Sequence, residues 1–318
     1  MKKILVFALC LILCAAMFGC EVDINMSVDI DELSLPEENS EQSVEASLPE
    51  QTEGLTAADV VVFFGDSIAA GYGLADEEKE RYSSLIAEEY GCAVYNYAVS
   101  GDDGADLLEL LAEGNCEKLK DATVIVLSIG ANNVLKAADA LIPYFESLQN
   151  GTASETLDVT DVMNEVAQGI DRFKTELPQI IASLRRVNPD AQIVFQTVYN
   201  PYRDFTEFKV EQNGFQLSFA AVSASSVISL NDVIEQGAEK NGYTVCEIYT
   251  PFKEYEGNLI NALPDGSNVD PHPNKEGRRP AKPSSAGLFS ISCTRSGSPT
   301  YLPISNWTFP FIIPTTSR

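Results

Sequence analysis

The chain contains a single histidine, His272, which follows a carboxylate, Asp270, by two residues. Far upstream, an apolar run closes in Gly65-Asp66-Ser67. A serine hydroxyl becomes a nucleophile when a base removes its proton, and imidazole is the usual base because its unperturbed pKa lies near neutrality. In an extended backbone, side chains two residues apart point the same way, so the Asp270 carboxylate can reach Nδ1–H of His272 and leave Nε2 free. These residues therefore offer a nucleophile, a base and an orienting acid.

Two further polar segments stand between these ends. Val99-Ser100-Gly101-Asp102-Asp103-Gly104 follows the apolar run 92–98, and Gly130-Ala131-Asn132-Asn133 follows the run 122–129. Each is expected at the C-terminal end of a strand, which is where parallel α/β sheets bind ligands. A glycine N–H and an asparagine amide are suitable donors for the oxyanion of an acyl-transfer reaction.

Taken together, the four segments resemble the SGNH (GDSL-type) hydrolase family, whose blocks supply Ser, Gly, Asn and His in this order. The first match runs from Gly65 to Gly73, and the last is His272-Pro273-Asn274 with Gly277. The resemblance covers roughly residues 58–277. It implies the following roles: Ser67 is the nucleophile, Asp270 and His272 complete the triad, and the N–H groups of Ser67 and Gly101 with the Asn132 amide form the oxyanion hole.

The chain departs from the family pattern at two places. The third block usually ends in Asn-Asp, whereas here it is Asn132-Asn133, so a carboxylate is lost while the donor Asn132 remains. The second departure is at about Gly277, where the family would continue into a C-terminal helix and this chain does not.

The resemblance implies a serine ester hydrolase, lipase-like or esterase-like, that acts by two-step acyl transfer on small-molecule, lipid or glycan esters without metal or organic cofactor. The formal net charge of -26 argues against nucleic-acid partners. The alternative is a catalytically silent surface lipoprotein that retains the fold for ligand or glycan binding. Tyr199-Asn200-Pro201-Tyr202 and Phe205 either line an acyl or sugar pocket or serve only in loop packing.

The N-terminus is typical of a targeting segment, because Lys2-Lys3 precedes an apolar run that ends in Gly19-Cys20. We expect a lipoprotein signal over 1–19 and lipidation of Cys20, which would anchor the chain at the extracytoplasmic membrane surface. Secretion with cleavage after Ala16, or an uncleaved short anchor, are the alternatives. Residues 21–54 hold eleven acids and no base, which predicts a disordered tether reaching to about residue 57.

Apolar periodicity predicts alternating strands and helices. Strands are expected at 60–64, 92–98, 123–127, 192–198 and 243–249. A helix carries apolar residues from Val166 to Leu184, with a kink expected at Pro178, and another is expected over 216–240. Crossover helices between such strands predict an α/β fold, a flavodoxin-like three-layer α/β/α sandwich with a mostly parallel sheet. The cysteines of this region are expected to be mostly buried thiols; they are Cys92, Cys116, Cys246 and Cys293.

Residues 278–318 differ in composition from the rest of the chain. They contain no acid, whereas all 47 acids of the chain lie before them, and they contain six prolines. We expect this tail to be disordered or loosely packed, and our hypothesis is that the coding frame shifts just after Gly277.

Overall fold

The fold is built around strands that carry almost unbroken apolar runs. The structure, a computed structural model, describes residues 55–152, 156–274 and 276–277 and the backbone of residues 293–294. The strands are β1 (Val60–Gly65), β2 (Ala93–Asn96), β3 (Val124–Ser128), β4 (Leu157–Asp158), β5 (Gln192–Gln196), β6 (Lys209–Gln212), β7 (Phe215–Ser218), β8 (Thr244–Cys246) and β9 (Cys293–Thr294). The α-helices are α1 (Ser67–Ala70), α2 (Glu77–Glu80), α3 (Tyr82–Tyr90), α4 (Gly104–Glu113), α5 (Ala131–Ala138), α6 (Ile142–Gln149), α7 (Thr160–Val187), α8 (Phe219–Asn241) and α9 (Tyr249–Glu254).

The main sheet has the order β2-β1-β3-β5-β8-β9. Its first five strands are parallel to their neighbours, and β9 pairs antiparallel with β8. This is the order of a doubly wound, flavodoxin-like sheet, in which the order of strand addition reverses between β1 and β3 and leaves a crevice at their carboxyl ends. The predicted fold class is confirmed. A second, small sheet has the order β4-β6-β7.

Successive residues of the central strands point to opposite faces of the sheet, and both faces are buried. Val61 and Phe63 belong to one apolar cluster, while Val62 and Phe64 belong to the other. Residues of α3, α9 and the start of α8 cover the first face, and residues of α4, α5, α7 and the C-terminal half of α8 cover the second. Burial on both faces explains why the strands contain hardly any polar residue.

The long helix α7 supplies much of the second layer. Its predicted apolar stripe is buried at Phe173, Leu177 and Leu184, and the helix continues through Pro178 as a single element of 28 residues. Proline removes one backbone hydrogen bond of the helix. Apolar contacts on both sides of Pro178 offset that loss and keep the helix in one piece.

Several predicted elements have different bounds in the structure, and in two of them another element occupies part of the predicted range. The helix expected over 216–240 begins at Phe219, because 215–218 form β7 of a hairpin with β6. Asn213 and Gly214 turn this hairpin with φ of 51° and 78°, and an Asn-Gly pair is the preferred sequence for such a turn. The strand expected over 243–249 ends at Cys246, and Tyr249 already begins α9.

Three of the predicted buried thiols are buried in the structure; they are Cys92, Cys116 and Cys246. The signal segment, Cys20 and most of the tether lie outside the described residues, as does the tail except for the backbone of 293–294. The predicted domain boundaries and the proposed frame shift therefore stay predictions. Across the described ranges, no helix is both long enough and apolar enough to span a membrane.

Candidate active site

Ser67 stands at the turn from β1 into α1. The Asp66 carboxylate caps this short helix by accepting the Ile68 N–H at 3.0 Å, and Ser67 is its first residue. A side chain at Gly65 would run into the Ser128 carbonyl of β3, so glycine lets the ends of the two strands approach closely. Ser67 is thereby placed at the crevice between the carboxyl ends of β1 and β3, where the strand order reverses.

His272 lies between Ser67 and Asp270. Its Nε2 is 2.8 Å from the Ser67 hydroxyl oxygen, and its Nδ1 is 2.5 Å from Oδ1 of Asp270. The backbone N–H of His272 also donates to this Oδ1, while the Asn261 amide donates to Oδ2 at 2.8 Å. The three residues expected to form the triad are therefore joined by hydrogen bonds in the order that nucleophilic catalysis requires.

Several contacts hold the segment that carries His272. Its carbonyl accepts the Asn261 N–H at 2.9 Å, and the hydroxyls of Tyr199 and Tyr202 donate to the carbonyls of Pro271 and Val269. The Tyr72 ring lies against the imidazole with 4.7 Å between ring centroids. Sequence reasoning missed Asn261, because nothing in its local sequence distinguishes it from an ordinary loop residue. Tyr72 lies within the matched Gly65–Gly73 block, but no role of its own was assigned to it.

Gly101 and Asn132 lie at the carboxyl ends of β2 and β3, as predicted. Gly101 has a φ of 93°, a left-handed conformation that other residues adopt only with strain. It sits in a turn that is closed by a hydrogen bond from the Asp102 N–H to the Val99 carbonyl. Asn132 donates one amide hydrogen to the Asp102 carbonyl at 2.8 Å. An amide nitrogen carries two hydrogens, so one remains for a substrate oxyanion.

Carboxyl groups around the site have perturbed pKa values. Burial raises the pKa of Asp66 to about 7. Burial would also raise the pKa of Asp270, but the hydrogen bonds from His272 and Asn261 outweigh it and lower this pKa to about 2. Burial, with the nearby Asp106 and Asp103 carboxylates, raises the pKa of Asp102 to about 6. Asp270 thus stays ionised beside the imidazole across the neutral range.

An open pocket adjoins Ser67 and His272; its empty space, with the solvent at its mouth included, is about 510 Å³. Its walls are almost entirely apolar; besides the site residues they include Ile68, Ala131, Val134, Leu135, Val198, Tyr199, Pro201, Val227, Leu230 and Pro271. Of the residues considered for a pocket from sequence, Tyr199 and Pro201 line it. Phe205 is fully buried in the core, and Tyr202 packs against Phe205 and Phe219. In the described part of the chain, no group of three or more His, Cys, Asp or Glu side chains is arranged to hold a metal ion.

The chain is similar to known proteins in sequence and in structure. A Bacillus subtilis (strain 168) protein described as uncharacterized protein YpmR is 25% identical over 151 residues, which are 45% of this chain and 52% of that protein. The chain thus spans about half the length of this curated relative. A phospholipase A1 from Streptomyces albidoflavus NA297 is 18% identical, with a TM-score of 0.50 over 70% of this chain and 95% of the other. An extracellular lipase from Streptomyces rimosus is 20% identical, with a TM-score of 0.48 over the same shares.

The likeness to the phospholipase concerns the fold, since sequence identity is low. The family assignment has a different basis. Residues 63–279, about two thirds of the chain, match the sequence profile of the GDSL-like lipase/acylhydrolase family. This match extends from β1 past the His272 segment. The chain belongs to the GDSL-like lipase/acylhydrolase family.

Proposed function

We propose that the chain is a serine ester hydrolase. The observation that supports this most directly is the 2.8 Å contact between His272 Nε2 and the Ser67 hydroxyl, with the Asp270 carboxylate behind the imidazole. Family membership supports ester hydrolysis in general. The serine mechanism is our inference from the geometry.

In the first step, His272 Nε2 takes the Ser67 proton while the serine oxygen attacks the ester carbonyl carbon. The N–H groups of Ser67 and Gly101 and the free hydrogen of Asn132 donate to the resulting oxyanion. The imidazolium then gives its proton to the departing alcohol oxygen, which leaves an acyl group on Ser67. A water molecule attacks this acyl group while His272 takes its proton. The proton returns to the serine oxygen as the carboxylic acid leaves.

The apolar pocket supports an ester whose acyl part is a hydrocarbon chain. Val134 and Leu135 of α5 and Val227 and Leu230 of α8 present hydrocarbon surface close to Ser67. A sugar would need polar partners for its hydroxyls, because an unpaired buried hydroxyl costs about 1–3 kcal/mol. We therefore assign this pocket to the acyl chain.

Labelling with a serine-reactive fluorophosphonate, together with hydrolysis of p-nitrophenyl esters, tests the proposal. Ser67→Ala and His272→Ala should each lower kcat by about 10⁴-fold or more, and Ser67→Ala should abolish labelling. Ser225→Ala changes an exposed serine on α8 and is the matched control, which should behave as wild type. Labelling or turnover that survives Ser67→Ala would favour a silent binding protein or another nucleophile.

We also propose that the enzyme is anchored at the extracytoplasmic face of the membrane through a lipidated Cys20. The segment Ala16-Met17-Phe18-Gly19-Cys20 resembles the lipobox of bacterial lipoproteins, which supports this proposal. Two acyl chains suffice for stable anchoring. Cys20→Ser should move the protein from the membrane fraction to the soluble fraction. A wild-type protein found only in the medium, with Met17 as its first residue, would indicate ordinary secretion.

A further inference from the structure

One stripe of α7 faces the two loops that carry the oxyanion donors. Gly169, Phe173 and Glu176 follow one another at intervals of four and three residues, so they share a helix face. A side chain at Gly169 would collide with the Asn133 carbonyl, and a Cβ at Gly130 would lie 2.7 Å from the Phe173 ring. Helix α7 and the start of α5 therefore meet at the closest approach that glycine permits.

Asn133 connects this stripe to the Gly101 loop. Its side chain is 2% exposed; Oδ1 accepts the Gly104 N–H at 3.0 Å, and Nδ2 donates to Oε2 of Glu176 at 2.8 Å. The preceding residue, Asn132, binds the Asp102 carbonyl from the same helix end. The two asparagines thus fix the start of α5 to the 101–104 loop at consecutive points.

The Glu176 carboxylate explains why position 133 is an amide. Asn133 must accept from one neighbour, Gly104 N–H, and donate to the other, Glu176. An aspartate at 133 could accept from Gly104, but it would set a second carboxylate at hydrogen-bond distance from Glu176, where like charges repel. The asparagine that replaces the aspartate of the family's usual Asn-Asp pair is therefore complementary to Glu176, which lies 43 residues further along the chain.

We infer that Glu176 is a positioning residue for the oxyanion hole, acting through Asn133. It touches neither substrate nor triad, and the inference rests on the proposed ester hydrolysis. By holding the Asn133 amide in one orientation, Glu176 keeps the Gly104 N–H engaged. The Gly101 N–H and the Asn132 amide then stay at a fixed separation, as preorganised stabilisation of an oxyanion requires.

The test compares kcat among a set of variants. The concentration of active sites in each variant is determined by titration with fluorophosphonate, and kcat is expressed per titrated site. Glu176→Ala and Asn133→Asp should each lower kcat about tenfold with little change in KM, the scale of one lost hydrogen bond to a charged group. Asn133→Asp combined with Glu176→Gln should return kcat to within about threefold of wild type, because the new amide can donate to the new carboxylate. Glu165→Ala removes an exposed glutamate of the same helix and should change nothing.

A second comparison separates positioning from plain stability. If Glu176 acts through the oxyanion hole, Glu176→Ala should lower kcat by a much smaller factor in an Asn132→Ala background than in wild type. A merely structural role would lower the melting temperature and the titrated fraction but leave kcat per titrated site unchanged, and that result would overturn the inference. If the wild type shows Ser67-dependent turnover, this failure concerns Glu176 alone. A wild type without such turnover would overturn both proposals.

Discussion

Filling the acyl pocket should abolish the preference for longer acyl chains. Val227 is buried on α8 and its side chain lines the pocket, so Val227→Phe places a ring where the chain is proposed to lie. Each methylene that enters an apolar site contributes about 0.8 kcal/mol, or about fourfold in kcat/KM. Between an acetyl and a hexanoyl ester, four methylenes give at most about 3 kcal/mol, or about 200-fold. The variant should lose most of this ratio and keep its acetyl activity.

The assay is kcat/KM for p-nitrophenyl esters of two to eight acyl carbons. Ile228→Phe is the matched control, because Ile228 is the next residue of the helix and is 46% exposed. Val227→Ala enlarges the pocket and should extend the preference toward longer chains. Thermal unfolding of each variant establishes that it folds. If wild type hydrolyses acetyl esters at least as fast as hexanoyl esters, and Ser67→Ala remains inactive, the acyl chain lies elsewhere while the mechanism stands.

Three further predictions concern single polar side chains. Asn132→Ala should lower kcat about 10²–10³-fold without loss of folded protein, and an unchanged kcat would remove Asn132 from the oxyanion hole. Asn261→Ala should lower kcat about tenfold, since Asp270 loses one of the hydrogen bonds that hold it. Steady-state kinetics measures this loss in kcat, and KM from the same measurements should stay close to the wild-type value. The raised pKa of Asp66 means that its carboxyl contributes stability that is full below about pH 4 and lost as the pH rises to about 7. Asp66→Asn keeps an acceptor for the helix cap. The melting temperature of this variant should rise relative to that of wild type between about pH 4 and pH 7, and the difference should stay constant at higher pH. A difference independent of pH would contradict the buried position of Asp66.

The strands and the residues of the candidate triad could be picked out from sequence because their signals are local. Strands buried on both faces read as apolar runs, and each run is followed directly by its polar block. The pairing of Asp270 with His272 needs only a spacing of two residues in an extended chain. The residues that support them carry no such signal. Glu176 lies on a helix rich in charged residues, and only the fold shows that its carboxylate accepts from the Asn133 amide.

Other differences arise from turn chemistry and burial. The hairpin of β6 and β7 was missed although Asn213-Gly214 is a strong turn signal. The residues after this turn also fit the start of a helical pattern. Asp66 belongs to a Gly-Asp-Ser segment that resembles an exposed turn in sequence. In the structure the whole residue is 1% exposed, since the close approach of β1 and β3 encloses it. Neither the enclosure nor the pKa it causes can be inferred from residue types alone.

The separation of 205 residues between Ser67 and His272 has a consequence for the kinetics of folding. Closing so long a loop carries an entropic cost, so contacts of this range form late compared with local helices. The His272 segment accepts hydrogen bonds from Asn261, Tyr199 and Tyr202, all of which lie C-terminal to β5. During refolding, recovery of Ser67 reactivity should therefore lag behind recovery of helical signal. On the proposed mechanism, Ser67 should therefore stay unreactive until the segment that carries His272 has reached it.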